Sequence, residues 1–338
     1  MSRDRIMTSR RPLRRALAAA VCLWMSPAAA SAAADGAAAL PLSLRITPGE
    51  YRQSIADIFG PGIAITGRFE PEERDEGLLA VGARSASISA DGMERYDSLA
   101  RGIAAQVVDA QHRGTLFSCK PEAENRSDDG CARQFIAATG RLLYRRSLSE
   151  DEIQQKVRVA SAAAAVKRDF YTGMAAVLSD MLLSPNFLYR YKKREPDPHH
   201  PGQVRLDAHS KAAVLSFYLW NSTPDDLLLK AAETGELQTK EGLRWQVDRM
   251  TSSPSIEDGV RAFFADMLGF NEFEILAKDP TFFPRFTPKV IDQAQEQTLR
   301  TIVNHLIARQ GDYRDLFTTS NTFLTKPLAA VYNVPLVD

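Results

Sequence analysis

The residues with the most definite chemistry in this 338-residue chain are two cysteines, Cys119 and Cys131, which lie 12 positions apart. They can close a disulfide or offer two thiolates to a metal. The second use needs three or four converging ligands, yet no histidine lies between them and no H-E-x-x-H spacing occurs among His112, His199, His200, His209 and His305. His199-His200 falls in a polar stretch and reads as a solvated pair, and His305 as an ordinary helix residue. The acidic run Glu70, Glu72, Glu73, Asp75 and Glu76 could gather carboxylate oxygens around calcium. It lacks EF-hand spacing and contains Arg74, so it reads as a solvated loop with local ion pairs. Asp225-Asp226 could form an acid/base pair, but a place in the first helical turn already explains them through capping and the helix dipole. Arg145-Arg146 and Arg190 could hold an anion, and pairing with acidic neighbours is the simpler expectation. G-x-S-x-G, G-x-x-x-x-G-K-[ST] and G-x-G-x-x-G are all absent from the sequence. The aromatic strings Tyr218-Leu219-Trp220 and Phe282-Phe283 read as core. No residue is assigned a catalytic, cofactor or metal role on these grounds, and the sequence leaves open whether the chain is an enzyme.

How the cysteines are used depends on compartment. Arg3, Arg5, Arg10, Arg11, Arg14 and Arg15 precede an apolar run over 16–25, followed by Ala30-Ser31-Ala32 and Ala32-Ala33-Ala34. This is the n-region, h-region and cleavage pattern of a signal peptide over residues 1–34. Ten helical residues rise about 15 Å, half the roughly 30 Å of a bilayer core, so no retained anchor is expected. Ser9-Arg10-Arg11-Pro12-Leu13 resembles a twin-arginine motif, which leaves the Sec and twin-arginine routes both open. Cys22 leaves with the signal, and Val21 before it is too large for a lipoprotein site. The mature chain is then periplasmic or extracellular. Its 36 basic and 41 acidic residues give a net charge of −5, with no electrostatic reason to seek nucleic acid. In an oxidising compartment the two remaining cysteines favour a disulfide. It would close 13 residues, polar and turn-rich, and be worth about 3 kcal/mol.

The elements around these residues read as helices. Thr47-Pro48-Gly49-Glu50 is a capping box with proline at the first helical position, and Gly60-Pro61-Gly62 ends that helix. Residues 62–89 are Gly-rich and irregular. A helix over 91–110 places Met93, Tyr96, Leu99, Ile103 and Val107 on one face. Helices follow over 132–144, over 150–166 after the capping box Ser149-Glu150-Asp151-Glu152, and over 169–181 until Ser184-Pro185. The Ala-rich second half of the 150–166 helix implies close helix packing. Residues 192–202 read as a linker, with a short strand over 204–206. Beyond it a helix over 207–220 is apolar at Ala212, Val214, Leu215, Tyr218 and Leu219. The next carries Pro224 just inside its start and ends near Gly235. Further helices are expected over 240–251, 255–268, 288–308 and 326–332. The fold class is all-α, multi-helical, with antiparallel helix pairs and irregular Gly/Pro-rich loops. The organisation is a signal peptide (1–34), an N-terminal helical domain (40–115), a disulfide loop with a helical domain (116–195), a linker (196–204) and a C-terminal helical domain (205–338).

Several strings resemble a known set of domains. Thr47-Pro48-Gly49-Glu50-Tyr51 through Asp57-Ile58-Phe59-Gly60, with Phe69-Glu70-Pro71-Glu72 and Tyr96, is similar to one of them. Cys131-Ala132-Arg133, Tyr144-Arg145-Arg146-Ser147-Leu148-Ser149 and Leu182-Leu183-Ser184-Pro185-Asn186-Phe187-Leu188-Tyr189-Arg190 are similar to a second, although Ser147 stands where proline is usual. Leu215-Ser216-Phe217-Tyr218-Leu219-Trp220-Asn221-Ser222-Thr223-Pro224-Asp225-Asp226, with Asn321-Thr322-Phe323-Leu324 and Tyr332-Asn333-Val334-Pro335, is similar to a third. The resemblance is to planctomycete-type domains of unknown function, numbered 1587, 1595 and 1592 in that order, and it covers nearly all of 44–338.

That resemblance implies an exported bacterial protein of a kind often encoded or fused with c-type cytochrome domains. Proteins of that kind usually continue into two further domains past the point corresponding to Asp338, so this chain resembles the N-terminal part of the usual architecture, either truncated or divergent. Covalent haem c needs Cys-x-x-Cys-His, and the sequence has no such run. No cofactor is therefore expected on this chain by the ordinary route, and a non-covalent one is left unassigned. The partner implied is a c-type cytochrome or another exported redox protein. Three functions follow: an accessory or interaction module of an extracytoplasmic redox system, part of a secreted degradative enzyme whose active site lies in missing C-terminal domains, or a structural, surface-assembly protein.

Overall fold

A computed structural model describes residues 43–83 and 87–335. The expected signal peptide, its cleavage sites and Cys22 lie outside the described residues. Strand β1 (Ser43–Arg45) leads into α1 (Pro48–Phe59), where the capping box forms as expected: Glu50 N–H donates to Thr47 Oγ1 at 3.2 Å and Thr47 N–H to Glu50 Oε2 at 2.8 Å. Gly60, with φ of 92°, ends the helix. The short α2 (Leu79–Gly82) sits in the otherwise irregular acidic segment, and α3 (Ala90–Val107) follows. Tyr96, Leu99, Ile103 and Val107 are buried on one face, whereas Met93 is exposed in the first turn. The turn α4 (Arg113–Leu116) precedes the cysteine loop.

Cys119 and Cys131 are joined by a disulfide. Cys131 lies in the first turn of α5 (Asp129–Tyr144), capped by Asp128. Helix α6 (Glu150–Lys167) starts from the second capping box, and two residues later α7 (Phe170–Leu183) returns against it. The alanines permit the close approach that the sequence implied. A Cβ placed on Gly173 would stand 2.8 Å from the Ala164 Cβ. Ser184 caps α8 (Pro185–Leu188), which runs into β2 (Tyr189–Tyr191), antiparallel to β1. The main core gathers Ile46, Tyr51 and Ile55 with Leu99, Ile136, Met174, Leu178 and Phe187, and reaches Phe217 of the next helix.

Residues 192–202, read as a linker, contain strand β3 (Arg194–Pro196), which pairs antiparallel with β4 (Val204–Leu206) around the 197–203 turn. Helix α9 (Ala208–Trp220) then begins under its Asp207 cap. Its buried face is Ala212, Ala213, Ser216, Phe217 and Trp220, so Val214 and Tyr218 point outward, contrary to expectation. The run is apolar almost throughout and carries no helical period, so its register cannot be read from pattern alone. Asp225 is the N-cap of α10 (Asp226–Glu233), which places Pro224 before the helix and not inside it. Helices α11 (Lys240–Thr251), α12 (Ile256–Met267), α13 (Pro288–Val303) and α14 (Lys326–Tyr332) complete the described chain. The helix expected over 288–308 changes character at Asn304–Ala308, a turn of π-helix. The fold is predominantly helical, with two small two-stranded sheets.

Candidate functional site

A large apolar concavity lies where α9 and α12 face the start of α1 and the acidic segment. It is a cleft of about 610 Å³, lined by Thr47, Gly49 and Glu50, by Glu72 and Leu78 to Ala80, and by Phe217, Tyr218, Leu219, Phe263 and Asp266 among others. Its α9–α12 wall depends on Gly259: an added Cβ would approach the Leu219 carbonyl carbon at 2.6 Å and the Trp220 nitrogen at 3.2 Å. With no side chain there, the two backbones touch, and the aromatic side chains of both helices reach the rim. Tyr218 is 81% exposed and Phe263 54% exposed, which places two large apolar groups at the surface of one concave patch.

The acidic segment is fastened across this wall by Asp266. Its carboxylate accepts from Leu79 N–H at 2.9 Å, Ala80 N–H at 3.1 Å and Arg74 Nη1 at 3.0 Å. Arg74 further donates to the Gly77 and Asp266 carbonyls and to Asn271. Part of the expected solvated loop is therefore a lid-like edge of the cleft, tied to α12 by one carboxylate that neutralises the first turn of α2. Glu70 turns the other way and pairs with the buried Arg45 at 2.9 Å.

Beneath the cleft a charged cluster is buried. Glu50 meets Arg190 at 3.1 Å, and the Arg190 and Arg145 guanidinium carbons stand 4.7 and 5.6 Å from the Phe217 ring centroid. Arg145 is the left-handed cap of α5, and its Nη2 donates to the carbonyls of Asn186, Phe187 and Tyr189 at 2.5, 3.1 and 2.8 Å. Burial pushes the Glu50 carboxyl up, against the opposing pull of Arg190 and the Thr47 N–H. Burial, with the Arg190 cation beside it, pulls Arg145 down to about 9. One carboxylate and three carbonyl dipoles thus offset two guanidinium groups, a packing that locks β2 to α1 and α9.

Glu72 differs from these partnered acids. It is half-buried, lines the cleft, and has no hydrogen bond or ion pair among the described residues. Burial pushes its carboxyl up to about 7; Glu50 and Asp266 add to the rise, while Arg45 and Arg52 oppose it.

The other residues singled out in the sequence do not converge. Asp225 caps α10 and accepts twice from Arg249, and Asp226 pairs with Arg141, so both are structurally engaged. Arg146 pairs with its acidic neighbour Glu152. His112 contacts Asp109, His200 contacts Asp197, and His305 contacts the Asp312 carbonyl. Of the two aromatic strings expected in the core, Trp220 is buried with its indole N–H on the Met250 carbonyl, but Tyr218, Phe282 and Phe283 are exposed. Spacing alone did not disclose Glu72 as distinct from its acidic neighbours, because its distinction is partial burial in a cleft whose other wall is contributed from far along the chain.

Compared with known families, residues 45–109 match the model of a protein of unknown function (DUF1587), 131–191 that of DUF1595 and 206–334 that of DUF1592. The chain matches no curated protein and no solved structure. The cleft walls come from the first and third matched segments, and Arg145 and Arg190 beneath it come from the second.

Proposed function

The chain matches the models DUF1587, DUF1595 and DUF1592 in that order, and on that premise we propose that it is an exported accessory module of a cytochrome-linked redox system, holding a protein partner in the apolar cleft. The observation that carries the reading is the cleft itself: a concave apolar patch with Tyr218 and Phe263 exposed on its rim and a buried charged cluster fixing its floor. Aromatic side chains around a concavity are the usual anchors of protein recognition. Export is supported by the tripartite N-terminal pattern and by the Cys119–Cys131 bond, which suits an oxidising compartment. No described helix is long and apolar enough to cross a membrane. The redox partner rests on the company that the resembling domains keep.

The test is affinity capture from the envelope of the native host, with the full chain as bait. Wild type co-elutes with a haem absorption band, and a Tyr218→Ser/Phe263→Ser variant of unchanged melting temperature does not. A wild-type eluate without haem protein refutes the redox assignment. A variant that captures as well as wild type refutes the cleft as the docking surface.

A further inference from the structure

We propose that the segment the cleft receives is apolar and carries one cationic side chain, whose charged group seats on Glu72 while its neighbours lie against Tyr218 and Phe263. The inference rests on the cleft being a docking surface, and adds the chemistry of what docks. Among the described residues three carboxylates line the cleft, Glu50, Glu72 and Asp266, and no lysine or arginine does. Two of the three are already engaged: Glu50 by Arg190 and the Thr47 N–H, and Asp266 by Arg74 and two backbone N–H groups. Glu72 is left as the one of the three with no donor among the described residues.

A half-buried carboxylate with no hydrogen bond has lost part of its hydration, and the charges of Arg45 and Arg52 offset only part of that loss. A guest cation supplies both the charge and the donor. An apolar guest bearing an anion would instead meet three carboxylates at close range and be rejected, which is how charge selects among apolar partners. The remainder of the lining suits the stem of a long cationic side chain, whose methylene groups pack on apolar surface while the head stays polar.

The groups facing Glu72 set a pH dependence. Arg45 from β1 and Arg52 from α1 favour its ionised form; Glu50 from α1 and Asp266 from α12 oppose it, and Tyr96 of α3 also faces it. The carboxyl titrates at about 7 in the free protein. A cation binds the ionised form, so its capture strengthens as pH rises through that value and releases a proton.

Three synthetic amphipathic peptides, identical except for a central lysine, norleucine or glutamate, test this by fluorescence anisotropy against the full chain at pH 6 and pH 8. The lysine peptide binds at least about tenfold more tightly than the glutamate peptide at pH 8. The gap narrows at pH 6, and it collapses at both pH values in Glu72→Gln, a substitution that mimics the protonated carboxyl and leaves the melting temperature unchanged. Equal affinities for the lysine and glutamate peptides overturn the proposal, as does a gap that persists in Glu72→Gln. If no peptide binds while Tyr218→Ser/Phe263→Ser still abolishes capture of the partner, the cationic guest is refuted and the docking surface stands. If that variant captures its partner undiminished, the docking surface itself is refuted.

Discussion

Replacing glycine by alanine should have opposite effects at two helical positions, Gly173 and Gly102. Both lie within helices, where alanine is favoured over glycine by about 1 kcal/mol. At Gly102 in α3 an added Cβ meets nothing within 4 Å. The propensity gain is therefore realised, and Gly102→Ala should stabilise the protein by up to about 1 kcal/mol. At Gly173 in α7 the same methyl would sit 2.8 Å from the Ala164 Cβ and 3.2 Å from the Ala164 nitrogen, and closer still to the Ala160 carbonyl oxygen. Backbone atoms cannot rotate aside, so α6 and α7 must part along the face that buries Val157, Ala160 and Ala164. Overpacking of this kind costs about 1–3 kcal/mol. A clash with backbone belongs at the upper end, which leaves a net loss of about 2 kcal/mol after the propensity gain. For a chain of this length that is a fall in Tm of about 3 °C. Calorimetry or urea denaturation of the two variants beside wild type decides it. A Gly173→Ala protein as stable as wild type would show that α6 and α7 do not touch as described. A Gly102→Ala protein that is destabilised would show that α3 is not free on that side.

Three other perturbations follow from the same physical reasoning. Cys119→Ser/Cys131→Ser should lose about 3 kcal/mol, read as a lower urea midpoint, and mass spectrometry of exported wild type should find the pair oxidised. Arg190→Met should cost about 3–5 kcal/mol because it strands the buried Glu50 charge, and Glu50→Leu combined with Arg190→Met should recover most of that in a double-mutant cycle. Glu152 accepts from Arg146 Nη1 and Nη2 and from the Ser149 N–H, and these bonds pull its carboxyl down to about 2, against the ordinary 4.5. Its folded value being the lower one, the stabilisation is complete above the ordinary value and is lost as pH falls through about 2. Partial exposure limits it to about 1 kcal/mol, so the gap in urea midpoint between wild type and Glu152→Gln should be present at neutral pH and close in strong acid.

Local chemistry explains what could be read from the sequence. Thr47 with Glu50, and Ser149 with Glu152, announce helix starts because both partners of each capping box lie within one turn. The Cys119–Cys131 pairing could be read because the expected signal peptide would leave two cysteines in an oxidising compartment. The outward turn of Tyr218 could not, since the run over 212–220 is apolar on every side and only the contacts of Phe217 and Trp220 decide its register. The β1–β2 pairing was hidden for another reason: three-residue strands carry no usable alternation. Glu72 was hidden because nothing in an acidic run tells which member will line a cleft completed by distant helices.

The antiparallel pairing of Ser43 with Tyr191 has a consequence for the order in which the chain can fold. Strand β1 opens the described chain, yet its partner is not made until the whole of α7 and α8 has emerged. The Leu188 carbonyl that accepts from the Ile46 N–H arrives equally late. A loop of that length closes slowly, since its entropy must be lost before the pairing returns any energy. Helices α6 and α7, joined by two residues, can form and pack first. The nucleus of folding is therefore expected in the middle of the chain, with the N-terminal strand docking last. Mutations in α6 and α7 should slow folding, and mutations in β1 should chiefly speed unfolding.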